Sequence, residues 1–394
     1  MKIVHFSDTH LGFRQFGRVT AAGLNQREAD VARAFSAVVD ATIAARPDLV
    51  VVGGDVFHSP RPANAAIMHA VRQFQRLADA LPGVPIVIAA GNHDLPRTAD
   101  VGSLLRLLEG PTVHVADFGP RRFTFPHLDL AVLAVPDTSS ERPALEPDPA
   151  LGHNVLVIHG EAAGVVRGGS RALAIGDDEL GAGGWDYVAL GHYHVYRKVA
   201  DNAYYSGAPE YVSSDPWGEM AEQAERGIPG KGFATFDTES GVSAFHPIAL
   251  AREFVDVAPI DAATMGPDEL DAAIAAAADA VGGMDGKVVR MRALAVPAST
   301  RNALDHAALR ALRAAAFHFQ FEMTRPDRQR PADGRAAVEV VGQGLSLPDF
   351  IRGEMQKRAV PTDIGRDALL DALFGYLDKA TTAEAAALGG DADA

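Results

Sequence analysis

Five short apolar runs divide the first half of the chain, and each stops on a residue able to bind a metal or move a proton. Lys2 to Phe6 runs into SDTH, which carries Asp8 and His10. Val50 to Val52 runs into GGDVFH with Asp55 and His58, and Val84 to Ala90 into GNHD with Asn92, His93 and Asp94. Asn154 to Ile158 ends at His159, and Tyr187 to Leu190 at GHYH with His192 and His194. Runs rich in β-branched residues and bounded by glycine or proline predict strands buried on both faces. Between the first three lie two helical patterns, Arg27 to Ala45 with Phe35, Val38 and Val39 on one side, and Ala63 to Ala80 with Ile67, Phe74 and Leu77. The series is βαβ, and open sheets of that kind bind ligands beyond the carboxyl ends of their strands. All five polar clusters therefore belong to one site.

Further along, a leucine-rich stretch over 98–108 predicts a short helix, either core or dimer contact, and strands are expected near 112–115, 122–125 and 128–135. Long loops follow at 137–153 and 160–184. Segments 203–206, 232–237 and 242–245 are expected to complete a second sheet around another long loop. A new α/β unit occupies 251–324, with strands near 254–257, 287–294 and 317–324 and helices over 267–281 and 302–316. It has no ligand cluster, which suits a cap or a substrate-recognition domain beside the metal-site domain of 1–250. Residues 325–346 form a proline-rich basic linker, 347–380 a pair of amphipathic helices that must dock on something, and 381–394 a disordered tail.

Composition narrows the chemistry. The chain has 394 residues, enough for two or three domains, and no apolar run long enough to span a membrane. It enters its first strand at once, without a signal-peptide pattern, so a cytoplasmic protein is expected. With no cysteine, the metal ligands must be His, Asp and Asn, which suit manganese, iron or zinc. The formal charge of −15 argues against binding nucleic acid through a global basic field. A polyanionic substrate would depend on a partner or on scattered cations such as Arg14, Arg18, Arg61, Arg97, Arg167, Arg171, Arg197 and Lys198.

Two divalent cations that share a carboxylate can activate water and clamp a phosphoryl group, provided that neutral nitrogens leave the cluster positive. Asp55 is the candidate bridge. Asp8, His10 and His194 would complete one ion, and Asn92, His159 and His192 the other. His93 falls outside both sets and lies next to Asp94, an arrangement suited to a general acid oriented by a carboxylate. His58 would contact the phosphate or assist protonation. Of 14 histidines, the eight outside these clusters are expected to be structural.

The motifs DxH, GDxxH, GNHD, HG and GHxH, in this order over residues 1–250, resemble those of the calcineurin-like metallophosphoesterases. The resemblance implies an α/β fold of two stacked mixed sheets flanked by helices, here with a smaller α/β capping domain and a C-terminal helical hairpin. SDTHLGF, the READ stretch at 27–30, GGDVFH, YSGAPE at 205–210 and KGF at 231–233 are similar to the SbcD-type DNA repair exonucleases. That likeness implies manganese-dependent exonuclease and endonuclease cleavage of DNA in double-strand-break repair. It also implies an SbcC-type SMC-like ATPase partner gripped by the hairpin, and a homodimer built through the 98–108 region. It carries over Asp8, His10, Asp55, Asn92, His159, His192 and His194 as metal ligands, His93 as the catalytic histidine and His58 as its companion. A phosphodiesterase acting on a small nucleotide or cyclic substrate would share every one of these ligands. A non-catalytic scaffold would be expected to have lost a ligand or His93, and none is lost.

Overall fold

The alternation within each strand assigns its residues to two different cores. β1 (Lys2–Phe6), β2 (Leu49–Val52), β3 (Ile86–Ala89) and β4 (Val113–Ala116) are parallel neighbours. Ile3, Leu49, Val51, Val87 and Ala89 enter one core, while Val4, Phe6, Val50, Val52, Ile86 and Ile88 enter the other. This is the two-residue period of a strand covered on both sides. The second core is roofed by α1 (Gln26–Ala45) and α2 (Asn64–Ala80) through Val31, Phe35, Val38, Phe74 and Leu77. The Asn25 side chain caps α1 by accepting from the Arg27 and Glu28 amides, and Arg46, at φ 46°, ends it in the left-handed conformation just before Pro47.

This computed structural model describes residues 1–96, 102–137, 145–163, 165, 173–176, 180 and 184–326. The second sheet contains β5 (Arg121–Phe125), β6 (Leu130–Val135), β7 (His153–His159), β10 (Tyr187–Gly191), β11 (Arg197–Ala200) and β12 (Ala203–Tyr205), while β8 (Glu161–Ala162) and β9 (Ala174–Ile175) pair as a short ribbon. Its order is β11-β12-β10-β7-β6-β5. Val132, Ala134, Val155, Val157, Tyr187 and Ala189 meet the inward residues of the first sheet, so the two sheets stack. Each large aliphatic side chain buried there contributes roughly 1.5–3 kcal/mol relative to exposure.

The structure corrects two sequence expectations here. β13 (Gly232–Asp237) and β14 (Val242–Pro247) do not complete the second sheet; β13 runs antiparallel to β1, so both extend the first. β13 covers the free edge of β1, with Phe236 stacked on Tyr187 in the intersheet core and Phe233 on the helix side. The loop before it also contains a helix, α3 (Pro216–Arg226). Its signals are in the sequence: Asp215 accepts from the Gly218 amide, Pro216 opens the first turn, and Gly227 closes it at φ 68°. Of the leucine-rich stretch, 98–101 lies outside the described residues and 104–108 is a 3₁₀ turn that buries Leu105 and Leu108 but leaves Leu107 exposed.

The third sheet has β17 (Val288–Leu294) at its centre, paired in parallel with β15 (Phe254–Asp256), β16 (Ile260–Asp261) and β18 (His318–Met323). α4 (Pro267–Ala280), α5 (Ala298–Asn302) and α6 (His306–Ala315) accompany it, and Leu270, Ile274, Met291, Leu309 and Phe319 form its own core. Much of its attachment to α1 is charged and buried. Arg27, fully enclosed, lies 3.2 Å from Glu210 Oε1, donates to the Tyr211 carbonyl at 2.8 Å and to Asp30 at 3.4 Å, and stacks over Phe254. Arg252 donates to Asp30 at 2.6 Å and covers Phe317. READ and the glutamate of YSGAPE are thus two halves of one ionic joint. Removing a single partner from a buried network leaves an uncompensated charge, at a cost of about 3–5 kcal/mol. Arg27→Met is expected to lower stability by about that much in urea unfolding; a loss under about 1 kcal/mol would contradict this role. The proposed linker beyond 326, the hairpin of 347–380 and the tail of 381–394 lie outside the described residues.

Candidate metal centre

The five polar clusters converge at the carboxyl ends of β1, β2, β3, β7 and β10, and glycines let them approach. A Cβ at Gly91 would lie 2.1 Å from Asp55 Oδ1, one at Gly54 2.5 Å from His159 Nδ1, and one at Gly191 1.8 Å from the Gly53 carbonyl. Four site residues also adopt a positive φ that L-residues rarely hold: Asp8 at 54°, His10 at 44°, Asp55 at 52° and His192 at 101°. Such backbone persists only where surrounding structure enforces it, and it concentrates at functional sites. Gly91→Ala is expected to displace the Asp55 carboxylate and weaken manganese binding at least about tenfold, the scale seen when the groups orienting a ligand are lost. Isothermal titration checks it, and wild-type affinity would refute it.

Asp55 lies at the centre. Its Oδ2 is 3.5 Å from His10 Nε2 and 3.6 Å from His159 Nε2, and its Oδ1 accepts the His93 amide at 2.9 Å. On one side His10 Nε2 faces His194 Nε2 at 3.3 Å, and His194 Nε2 is 3.9 Å from Asp8 Oδ1. On the other, His159 Nε2 faces Asn92 Oδ1 at 3.2 Å. The His159 Nδ1 proton is donated to the Gly53 carbonyl at 2.7 Å, which leaves the Nε2 lone pair directed at Asp55 and Asn92. Asp8 accepts from the Ser7 hydroxyl and from the His192 amide at 3.1 and 3.2 Å. The His192 ring packs edge-on to His159, and its Nε2 meets Glu161 Oε1 at 3.2 Å. Asp8, His10 and His194 form one set able to hold a cation, and Asp8, Asp55 and His159 another. His10, His58 and His93 make a third cluster, with His58 Nδ1 3.3 Å from His10 Nδ1.

The electrostatics of the donor set fit cations. Burial, then the charges of Asp94 and Asp8, push the Asp55 carboxyl well above its ordinary range. Burial, then the neighbouring His194, His93, His58 and His159, hold His10 well below its own. Among the described residues no lysine or arginine pairs with Asp8 or Asp55. Buried carboxylates with no lysine or arginine beside them lack the positive charge that a divalent ion would bring.

Two placements differ from the sequence reading. Asp94 does not orient the His93 ring: its oxygens accept the amides of Phe57 at 2.8 Å, Gly91 at 3.0 Å and Val56 at 3.2 Å, which ties the GNHD turn to the Asp55 turn. The backbone carbonyl of His58 instead takes the His93 Nδ1 proton at 2.8 Å, which leaves the ring lone pair on Nε2. Most of the described candidate cations are also occupied. Arg14 pairs with Glu28, Arg18 donates to the carbonyls of Ala314 and Phe317, Arg197 lies 3.8 Å from Glu222, and Lys198 meets Asp201 at 2.9 Å. Arg97, Arg167 and Arg171 lie outside the described residues. Sequence reasoning missed Glu161 and Glu219 and marked Lys231 only as part of KGF, without a role; all three contact site histidines. Burial alone would raise the Glu219 carboxyl, but Lys231 and His194 outweigh it and hold the group at about 2.

Fold and site together define a metallophosphoesterase, and the chain belongs to the calcineurin-like phosphoesterases, whose family model matches residues 1–196. More particularly, its curated relatives include DNA double-strand break repair proteins Mre11. The protein of Methanococcus maripaludis is 37% identical over 109 residues, 28% of this chain and 27% of that one. That of Sulfurisphaera tokodaii is 30% identical over 203 residues, 50% of this chain and 49% of its own. That of Methanopyrus kandleri is 28% identical over 244 residues, 58% of this chain and 51% of its own. The matches thus span from about a quarter to about half of these relatives. No helix among the described residues is long and apolar enough to cross a membrane.

Proposed function

We propose that this protein is a metal-dependent nuclease that hydrolyses DNA phosphodiesters at double-strand breaks, with two divalent ions sharing Asp55. The observation that supports the reading is Asp55 Oδ2 lying between His10 Nε2 and His159 Nε2, with His194 and Asp8 beyond the first and Asn92 beyond the second; His192 is proposed to join the second set. Ions held there would supply Lewis acidity and a strong nucleophile at neutral pH. The chain's own residues do the rest. The His58 carbonyl fixes His93 Nδ1 as a donor, so a proton for the departing alkoxide would be carried on Nε2. The Asp55 carboxylate, accepting the His93 amide, sets the distance between this acid and the ligands. Manganese is the proposed ion, with iron or zinc as alternatives that the same nitrogen and oxygen donors accept.

DNA as substrate, an SMC-like ATPase partner and a homodimer rest on the likeness to the Mre11 proteins and on the motifs. In this reading residues 251–324 cap the site, and 347–380 dock the ATPase. A second reading has its own support: with a net charge of −15 and several described cations already paired, a small nucleotide or cyclic phosphodiester needs no basic track. The two separate in one assay, manganese-dependent hydrolysis of end-labelled duplex DNA beside bis(p-nitrophenyl) phosphate. Degradation of the duplex, abolished by chelation, is expected. Turnover of the small diester with DNA intact, even when an SMC-like ATPase is added, would favour the second reading.

A further inference from the structure

The KGF stretch singled out in the sequence has no part in the chemistry above, yet its lysine is among the most enclosed side chains in the molecule. Lys231 is 2% exposed. Its ammonium donates to the His194 carbonyl at 2.8 Å, makes a short contact with Glu219, and lies 4.7 Å from the centre of the Tyr211 ring. Glu219 in turn places Oε1 3.3 Å from His194 Nδ1. The opposite nitrogen, Nε2, faces His10 and Asp8. A buried lysine is costly unless its charge is met, and here it grips one histidine at two points, through the main chain directly and through the ring by way of Glu219.

We propose that Glu219 and Lys231 are positioning residues for His194: the carboxylate fixes the ring as the Nδ1–H tautomer and presents the Nε2 lone pair to the ion shared with Asp8 and His10. This rests on the reading of His194 as a metal ligand. An imidazole whose second nitrogen donates to a carboxylate is a better-oriented and more basic ligand, and loss of such a partner typically weakens metal binding about 10- to 100-fold. α3 supplies the rigidity. Glu219 stands in its first turn behind the Asp215 cap, and Gln223, one turn later, accepts from the Tyr211 hydroxyl at 2.8 Å. Trp217 on the same helix donates to Gln320 of β18 at 2.8 Å, so the carboxylate is carried on a helix anchored at both sides.

The test is manganese titration by calorimetry on the full chain, comparing wild type, Glu219→Gln, the charge-neutral double variant Glu219→Gln with Lys231→Met, and His194→Ala. The double variant removes the buried charges together, so a stranded ammonium cannot be mistaken for a metal effect. Expected is a loss of about 10- to 100-fold in one binding event for Glu219→Gln and for the double variant, the other event being retained. The metal-free thermal midpoint of the double variant should stay close to wild type, a combination that a merely structural role would not give. Should the double variant not fold, Glu219→Asp carries the same reading, because it keeps the charge and withdraws the carboxylate from Nδ1. Affinity within about twofold of wild type in a folded variant, with one event lost in His194→Ala, would overturn the positioning role alone. If His194→Ala keeps both events, the metal reading of His194 falls and the positioning role falls with it.

Discussion

Asp55→Asn is expected to reduce manganese-dependent phosphodiester hydrolysis by about a thousandfold or more, because several kcal/mol of transition-state stabilisation depend on the ions it would share. The substitution keeps the shape of the side chain, and an amide oxygen can still accept the His93 amide now held at 2.9 Å. What disappears is the negative charge between His10 and His159. Bound metal should therefore fall from two ions to one or none. Stability should move the other way. Burial, with Asp94 and Asp8 alongside, already disfavours the charged form of Asp55, so a neutral side chain relieves the metal-free protein. The metal-free thermal midpoint is expected to stay level or rise as activity collapses. A variant that keeps both ions and works within about tenfold of wild type would remove Asp55 from the centre of the scheme.

His93→Ala should be the second large effect, a loss of about 10²–10⁴ in kcat on DNA with metal content unchanged. His93 is tied to the centre by the amide bond to Asp55, and its ring packs edge-on to His10, centroids 4.8 Å apart, while Nδ1 donates to the His58 carbonyl. The acid role carries a specific signature. A departing sugar alkoxide needs a proton, whereas p-nitrophenolate leaves well without one, so the loss on bis(p-nitrophenyl) phosphate should be much smaller than on DNA. Equal losses on both substrates would mean that His93 binds the phosphate instead of protonating the leaving group.

The parts of the molecule that could be read in advance are those whose signal is local. The strand-then-ligand runs gave all five strand ends of the site, since burial on both faces leaves apolar runs and close approach demands the glycines at 53, 54, 91 and 191. Pairing between distant segments left no such trace. β13, buried on both faces through Phe233 and Phe236, reads like any other internal strand, and only the open edge of β1 decides which sheet it joins. α3 was legible in Asp215, Pro216 and Gly227, but the surrounding polar residues hid it. The partners of the ligand histidines were legible only in part: KGF marks Lys231 without its role, while Glu161 and Glu219 occur singly, and a lone buried charge has no spacing to betray it. The same holds for Asp94, whose place beside His93 in sequence suggested a contact with the ring when its oxygens cap three backbone amides.

The most direct measurement of the two-ion site is anomalous scattering from crystals of the full chain equilibrated with manganese. Two peaks per chain are expected, both touching Asp55, one with Asp8, His10 and His194 and the other with Asn92, His159 and His192. A single peak, or two that do not share Asp55, would contradict the two-ion site on which the proposed hydrolysis depends.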